Sequence, residues 1–255
     1  MRRVMLTVAY DGTKYHGYQI QDNADTIEGE LTRVLRNLTG EVNSLIGGSR
    51  TDAGVHAKSN VAVFDTDVRI PGEKFKYALN QKLPEDIRVV ESRDVAEDFH
   101  PRHCDTKKTY EYRILNSEIP DPIKRLYSYH TYTPLDVERM REAAAFMEGE
   151  HDFKSFCAEG AQVEFTVRNV YTVEVEEEYI GKETSRLKEK DIIIRVSGNG
   201  FLYNMVRIMA GTLIEVGRGH IEPQRVKDII EACDRKEAGP TAPACGLTLV
   251  KYEFL

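Results

Sequence analysis

The chain has 255 residues, of which 41% are hydrophobic and 30% charged, and its formal net charge is −7. This composition is that of an ordinary folded protein, and the length allows one large or two small domains around a sizeable core. No apolar run approaches the length needed to span a bilayer, and the arginine-containing start lacks a signal-peptide cleavage site. We therefore expect a cytoplasmic protein without a membrane partner.

The negative charge argues by itself against a nucleic-acid-binding protein, because such proteins are usually basic. The charge is unevenly distributed, however. Residues 173–191 hold seven acids against four bases, whereas residues 100–113 hold four bases against two acids. Local fields steer a polyanion to a surface, so the basic segment is compatible with an RNA partner; a solvated surface is the alternative for both segments.

Metal and cofactor chemistry has no sequence signature here. The cysteines form no CxxC pair, and the seven histidines lack ligand spacing. P-loop and dinucleotide-binding fingerprints are also absent from the sequence. We expect no cofactor and no metal. The four cysteines are given no role: Cys104, Cys157, Cys233 and Cys245.

The first half of the chain predicts the order β-α-β-β-α-β. Strands are predicted at residues 3–10, 42–46, 60–66 and 87–95. One helix is predicted at residues 26–39, with Asp25 and Glu28 as a capping box and Gly40 as the stop. A second helix begins at Pro71. This order is that of the split βαβ, ferredoxin-like arrangement, with an antiparallel sheet and helices on one face.

The second half repeats the pattern. Strands are predicted at residues 107–115, 170–178, 191–197 and 247–254. Helices are predicted from Thr133-Pro134 to Met147, at residues 202–216 and at residues 222–234. We therefore predict an α/β fold of the α+β type, with two ferredoxin-like lobes resembling RNA-recognition domains. The predicted domains are 1–104 and 105–255, with the ligand in a cleft between them.

The loop GGSRTDAGVHAK, residues 47–58, holds Arg50, Asp52 and His56 within seven positions. Its glycines permit close approach of a ligand to the backbone. A carboxylate beside an arginine stays ionised at neutral pH, and such an aspartate can act as a nucleophile or acceptor. A turn capped by the aspartate side chain is the alternative interpretation.

The segment GNGFLYNMVRIMAGTL, residues 198–213, places a single cation, Arg207, on an apolar helix. Burying that cation is costly without a partner. We predict that it pairs with a carboxylate from outside its own helix, for which Asp52 is a candidate. In the alternative, Arg207 extends its charged end to the surface.

The strand KKTYEYRI, residues 107–114, presents Tyr110 and Tyr112 on one face, because side chains alternate along a strand. An aromatic ring beside lysines can stack a base. A half-buried aromatic pair is the alternative, and for Tyr112 we favour it.

Together these segments resemble the TruA family of tRNA pseudouridine synthases over nearly the whole chain. The RTDAGVHA stretch is the most specific part of the resemblance. One departure is Ser49, where many bacterial members have Gly, but it lies outside the RTD triplet. The matching segments, in the family's order, are YDGTKYHGYQIQ (10–21), SRTDAGVHA (49–57), LNQKLPEDI (79–87), DFHPRHCDTKKTYEYRI (98–114), GEHDFKSF (149–156), TVRNV (166–170), NGFLYNMVRIMAGTLIEVGRG (199–219) and TAPACGLTLVKYEF (241–254).

The resemblance implies a pseudouridine synthase fold in which Asp52 is the catalytic aspartate. It implies that Arg207 pairs with that carboxylate and that Tyr110 contacts the target base. Arg50 would help to displace and hold the flipped-out nucleotide. The implied substrates are uridines of the tRNA anticodon stem-loop, at positions 38–40, and the implied assembly is a cofactor-free homodimer that acts on tRNA and not on DNA.

The chemistry of that reaction agrees with the residues. Isomerising uridine breaks the bond from C1′ to N1 and joins C1′ to C5, so nothing is oxidised or added. It requires a nucleophilic or basic carboxylate and a pocket for a base taken out of its stack. Candidate phosphate contacts are Arg50, Lys58, Lys107 and Lys108.

Two rival functions remain at this point. A non-catalytic RNA-binding module would have the same lobes, but the stacking-aromatic strand of RNA-recognition domains is missing from the sequence. An aspartate-nucleophile hydrolase would need magnesium and further carboxylates grouped with Asp52, and its neighbours Arg50, Thr51 and Ala53 are not carboxylates.

Overall fold

The computed structural model describes residues 1–41, 44–160, 165–180 and 189–255. The chain divides into two compact units. Unit 1 comprises residues 1–106 and 249–255, and unit 2 comprises residues 107–248. The division into domains 1–104 and 105–255 stays a prediction. Within the described ranges, no helix is long and apolar enough to cross a membrane.

Unit 1 contains an antiparallel sheet with the predicted order of elements. Its strands are β1 (Arg2–Tyr10), β2 (Ile46–Gly47), β3 (His56–Thr66) and β4 (Ile87–Val95). Its helices are α1 (Ile27–Thr39) and α2 (Phe75–Asn80), and a 3-10 turn, Gly72–Lys74, leads into α2. The strands lie in the order β4-β1-β3, and β2 pairs with β3. All these pairs are antiparallel, which confirms the ferredoxin-like prediction for this half.

The ends of two elements differ from the prediction. Helix α1 is capped by Thr26, whose hydroxyl accepts a hydrogen bond from the Gly29 N–H, so the predicted Asp25 cap is wrong. Glu28 accepts a hydrogen bond from the Ile20 N–H instead of closing a capping box. Residues 42–43 of the predicted strand 42–46 lie outside the described residues, and β2 begins at Ile46. Gly40 ends α1 as predicted, in the left-handed region.

The core of unit 1 forms where one face of each helix meets the sheet. Helix α1 buries Ile27, Leu31 and two further aliphatic side chains on one face. Phe75 of α2 is fully buried and makes an edge-to-face contact with Phe64 of β3, at 5.2 Å between ring centroids. Each such side chain contributes about 1.5–3 kcal/mol of burial free energy, which gives the strands a fixed platform.

Unit 2 also combines a sheet with helices. Its strands are β5 (Thr106–Asn116), β6 (Tyr129–Thr131), β7 (Gly149–Asp152), β8 (Val167–Tyr179) and β9 (Lys190–Gly198). The last strand, β10 (Leu247–Phe254), begins in unit 2, but its residues 249–254 belong to unit 1. Its helices are α3 (Val137–Ala145), α4 (Met205–Gly217) and α5 (Arg225–Ala232). The order β5-β9-β8-β7 is antiparallel, and β6 adds a parallel pair at β5.

Helix α3 begins three residues later than predicted. Its N-cap is Asp136, whose carboxylate accepts from the Arg139 N–H, so the predicted Thr133-Pro134 start is wrong. The cause is Asn116, whose side chain donates to the Thr133 carbonyl and accepts from the Leu135 N–H. These bonds hold the segment beside β5 in place of a first helical turn. The short strands β6 and β7 were not predicted, because three or four residues give no usable alternation.

Helix α4 lies deep in unit 2. Most of its residues are buried, as its apolar sequence predicts. A Cβ atom at Gly211 would lie 1.8 Å from the Pro240 carbonyl oxygen. This glycine therefore lets residues 239–242 run directly against the helix.

Candidate active site

The loop between β2 and β3 presents the candidate residues of unit 1. Arg50 is exposed and Asp52 is half-buried. His56 is not a loop residue: it is the first residue of β3 and is buried. Lys58 lies two residues further along β3 and is exposed. The loop thus presents an exposed guanidinium group, that of Arg50, two residues before a half-buried carboxylate, that of Asp52.

A buried amide holds the loop from the β3 side. Asn60 is completely buried, and its side chain bonds both the N–H and the carbonyl of Ser49, at 3.2 and 2.9 Å. Because these bonds involve only the Ser49 backbone, the departure from Gly at this position leaves them unchanged. Thr51 is held by its hydroxyl, which lies 2.7 Å from the Tyr10 hydroxyl.

The segment between β1 and α1 holds the loop from the other side. The Tyr18 N–H donates to the Thr51 carbonyl at 3.0 Å, and the Gly54 N–H donates to the Tyr15 carbonyl at 3.2 Å. Gly17 has a φ of +97°, and a Cβ there would lie 2.9 Å from the Thr51 carbonyl oxygen. Only glycine permits this close approach without strain.

His56 fastens the turn at the end of β1. Its Nδ1 accepts a hydrogen bond from the Gly12 N–H at 3.1 Å and lies 3.1 Å from an Asp11 carboxylate oxygen. The backbone bond thus fixes the His56 ring against the same segment that supports the loop.

In unit 2, strand β5 places Tyr110 among the candidate residues. Tyr110 is 8% exposed, and its ring meets Phe201 edge to face at 5.3 Å. Lys107 and Lys108 precede it on the strand and are partly exposed. Tyr112 is fully buried, and its hydroxyl donates to the Pro243 carbonyl at 2.9 Å. The packing interpretation that we favoured for Tyr112 is consistent with this burial.

Arg207 lies in the first turn of α4. Its Nε donates to the Ala242 carbonyl and one terminal nitrogen donates to the Asn204 side-chain oxygen, both at 2.8 Å. Asn204 precedes the helix in the left-handed region, with a φ of 59°. Two oxygen atoms of unit 2, the Ala242 carbonyl and the Asn204 side-chain oxygen, therefore fix the orientation of the guanidinium group. Its predicted pairing with Asp52 stays a prediction.

Two residues that support the loop were missed by sequence reasoning, namely Tyr10 and Asn60. Burial raises the pKa of Tyr10 to about 12, although hydrogen bonds with Thr51 and Asn60 act in the opposite direction. The phenol therefore stays protonated at neutral pH. The signal that could have identified Asn60 is its place beside the apolar run VAVF, because a polar residue entering a buried strand needs partners.

Comparison with known proteins gives one consistent result. A family model described as tRNA pseudouridine synthase matches residues 6–103 and 143–254. The chain is 49% identical to tRNA pseudouridine synthase A of Ruminiclostridium cellulolyticum and 47% identical to that of Thermoanaerobacter sp. strain X514, with 100% of each chain covered. It is 46% identical to tRNA pseudouridine synthase A 2 of Clostridium perfringens, also over 100% of both chains.

One likeness to a solved structure is distant. The chain is similar to a chain of the archaeal box H/ACA sRNP Nop10-Cbf5 complex at 12% identity, with a TM-score of 0.34. The match spans 92% of this chain and 60% of that one. A likeness this distant supports no further argument. The sequence relatives, by contrast, favour the synthase over both rival functions.

Proposed function

Since the chain belongs to the tRNA pseudouridine synthase family, and is thereby an isomerase that converts uridine to pseudouridine in tRNA, we propose that its targets lie in the anticodon stem-loop, at positions 38–40, and that Asp52 performs the chemistry. The observation that supports this best is the loop itself. A half-buried carboxylate lies two residues from an exposed arginine, within the part of the chain that the family model matches.

The proposed roles follow the reaction. The bond from C1′ to N1 breaks, the freed uracil turns and C5 bonds to C1′. The C5 proton then leaves and N1 takes up a proton, so uridine and product have the same composition. Asp52 acts as nucleophile or base on the flipped-out nucleotide. Arg207 holds the Asp52 carboxylate ionised, because a nearby cation favours the charged form. Tyr110 contacts the target base, and Arg50 helps to displace and hold the flipped-out nucleotide.

Phosphate contacts are proposed for Arg50, Lys58, Lys107 and Lys108. All four are exposed or partly exposed. Each phosphate contact releases counterions, so affinity for tRNA should fall steeply with salt. Reversing the charge of Lys107 and Lys108 together should weaken binding and flatten that dependence. Unchanged affinity and an unchanged salt slope would show that the two lysines do not contact the RNA.

The proposed assembly is a cytoplasmic homodimer in which one tRNA contacts both subunits. Sharing the substrate would concentrate basic residues of two chains on one RNA, although each chain has a formal charge of −7. Sedimentation at working concentration tests the assembly. A monomer that is fully active at that concentration would contradict it.

The deciding experiment is tritium release from unmodified tRNA labelled at C5 of uridine, with wild type, Asp52→Asn and a control. Asp67→Asn is the control, since that carboxylate is exposed and pairs with the chain's N-terminus. We expect wild type and the control to release tritium, and Asp52→Asn to lose at least about 10³-fold in rate, as expected when a catalytic group is removed. Normal release by Asp52→Asn would overturn the catalytic assignment.

The positions of the target uridines are tested separately. Transcripts in which position 38, 39 or 40 is the sole uridine of the anticodon arm should each support release from that arm. If all three transcripts were inert while full-length tRNA reacted, the anticodon assignment would be wrong and the family assignment would stand.

A further inference from the structure

We propose that Asn60 and Tyr10 are positioning residues, which set the place of Asp52 through a buried chain of hydrogen bonds running from Asn60 through Tyr10 to Thr51. This inference rests on the proposed catalytic role of Asp52. None of the three residues needs to touch the RNA. Their effect is exerted on the backbone that leads into Asp52.

Asn60 is the fixed end of this chain. Its side-chain oxygen accepts from the N–H groups of Ser49 and Val61, at 3.2 and 2.9 Å. Its side-chain nitrogen donates to the Ser49 carbonyl at 2.9 Å and to the Tyr10 hydroxyl at 3.0 Å. The amide can take only this orientation, because a flipped amide would face two N–H groups with its own donors.

Tyr10 passes the restraint on to Thr51. Its hydroxyl is buried, accepts from Asn60, and therefore has its own proton available for the Thr51 hydroxyl, 2.7 Å away. The phenol ring is buried, and its centroid lies 6.4 Å from that of the Tyr18 ring.

The chain of bonds restrains the loop on both sides of Arg50. Ser49 is held by Asn60 through its backbone, and Thr51 is held by Tyr10 through its side chain and by Tyr18 through its carbonyl. Arg50 thus turns outward between two anchored residues, and Asp52 follows the second anchor directly. Neutral, buried donors and acceptors keep this geometry independent of salt, unlike surface ion pairs. Misplacing a reacting group by about 1 Å can cost on the order of 10²-fold in rate.

The test compares three variants that remove the hydrogen bond between Tyr10 and Thr51: Tyr10→Phe, Thr51→Val and the double variant. Tyr10→Phe also removes the bond from Asn60. Single-turnover pseudouridine formation is measured with saturating enzyme, below the melting temperature of each variant. We expect each single variant to lose about tenfold in rate with unchanged affinity for tRNA. Because both remove the same hydrogen bond, the double variant should be no slower than the slower single variant.

Two further variants separate positioning from stability. Thr66 is as deeply buried at the opposite end of β3, and its hydroxyl donates to a Glu41 carboxylate oxygen at 2.6 Å. Thr66→Val should lower the melting temperature comparably and leave the single-turnover rate unchanged. Thr51→Ser keeps the hydroxyl and should restore most of the rate.

The proposal is overturned if Tyr10→Phe and Thr51→Val lose less than about threefold in rate, if Thr66→Val loses as much, or if the loss lies in tRNA affinity instead. Asp52→Asn is assayed in parallel. If Asp52→Asn is inactive and Tyr10→Phe is fully active, the positioning inference alone fails. If Asp52→Asn is active, the proposed function fails first.

Discussion

Unit 1 and unit 2 hold their candidate residues in different ways. Asp52 lies in a segment without helix or strand, where buried side chains satisfy the backbone. Tyr110 lies on a strand and Arg207 in a helix. Regular backbone hydrogen bonds therefore fix the position of both residues, and side-chain contacts set only the orientation of their side chains. A loop must obtain its hydrogen bonds from elsewhere. Substitutions of the residues that support the loop should therefore change the position of Asp52. In unit 2, by contrast, the largest effects should come from substituting Tyr110 or Arg207 itself.

Among the substitutions that compare the two units, the largest effect is expected from Arg207→Lys, which tests unit 2. The planar guanidinium group of Arg207 donates to the Ala242 carbonyl and to the Asn204 side chain at the same time. The ammonium group of lysine cannot reproduce this geometry. We expect a fall of about 10²-fold in the single-turnover rate, because the positive charge would no longer be held in a fixed orientation.

Arg141→Lys is the matched control for this change. Its guanidinium likewise bonds a backbone carbonyl through Nε, that of Val175 at 2.8 Å, and the carboxylate of Glu138 through a terminal nitrogen. The rate should stay at the wild-type value in this control. Equal rates for both variants would mean that the fork of Arg207 has no role beyond packing.

The next largest effect is expected from Gly17→Ala, which tests unit 1. The alanine would hold a strained φ and place its Cβ against the Thr51 carbonyl. We expect a loss of about 2 kcal/mol in the free energy of unfolding, together with a slower reaction, as measured by denaturant unfolding and single-turnover kinetics.

Gly40→Ala separates the two causes. Gly40 also has a positive φ, of +73°, but a Cβ there would meet nothing within 4 Å. It should cost about 1 kcal/mol and leave the rate unchanged. A comparable rate loss in both variants would contradict the idea that contact with the loop matters.

A smaller effect, about tenfold in rate, is expected from Tyr110→Phe. The edge contact with Phe201 is kept, so only the hydroxyl is tested. The control is Tyr112→Phe, which loses the bond to the Pro243 carbonyl and should cost about 1 kcal/mol of stability without changing the rate. If the two variants behaved alike in the kinetic assay, Tyr110 would be a packing residue.

The smallest effect is expected from Glu111→Gln, on the same strand as Tyr110. Burial raises the pKa of Glu111, but hydrogen bonds from Arg195 and Arg113 outweigh it, so that the pKa lies below its usual value of 4.5. A lowered pKa stabilises the folded state above the unfolded-state value, and this contribution disappears as the pH falls through the folded-state value.

The substitution should therefore cost less than about 1 kcal/mol at pH 7, since the group is partly solvated. The difference from wild type should vanish under acid conditions. Urea unfolding at pH 7 and under acid conditions measures the difference in the free energy of unfolding between the variant and wild type. A difference that increased on acidification would contradict the lowered pKa of Glu111.

Much of the fold followed from local patterns. Alternation predicted β1 and β5, and Gly40 gave the correct end of α1. The apolar sequence of residues 202–216 predicted α4 as a buried helix. The two incorrect caps, at Asp25 and Thr133, show that several residues near a helix start can cap it. For α3, contacts from the distant Asn116 decide where the helix begins.

The sequence by itself determined the family, the order of strands and helices in unit 1, and the candidate residues, because motif, periodicity and turn chemistry are local properties. Only the tertiary structure decided what supports Asp52. The pairing of β1 with β3 brings Tyr10 to Asn60, and the pairing of β2 with β3 brings Asn60 to Ser49. A buried polar side chain reveals its partners only when the strands that surround it are in register, since the cost of burial is met by whichever groups the fold places within hydrogen-bonding distance.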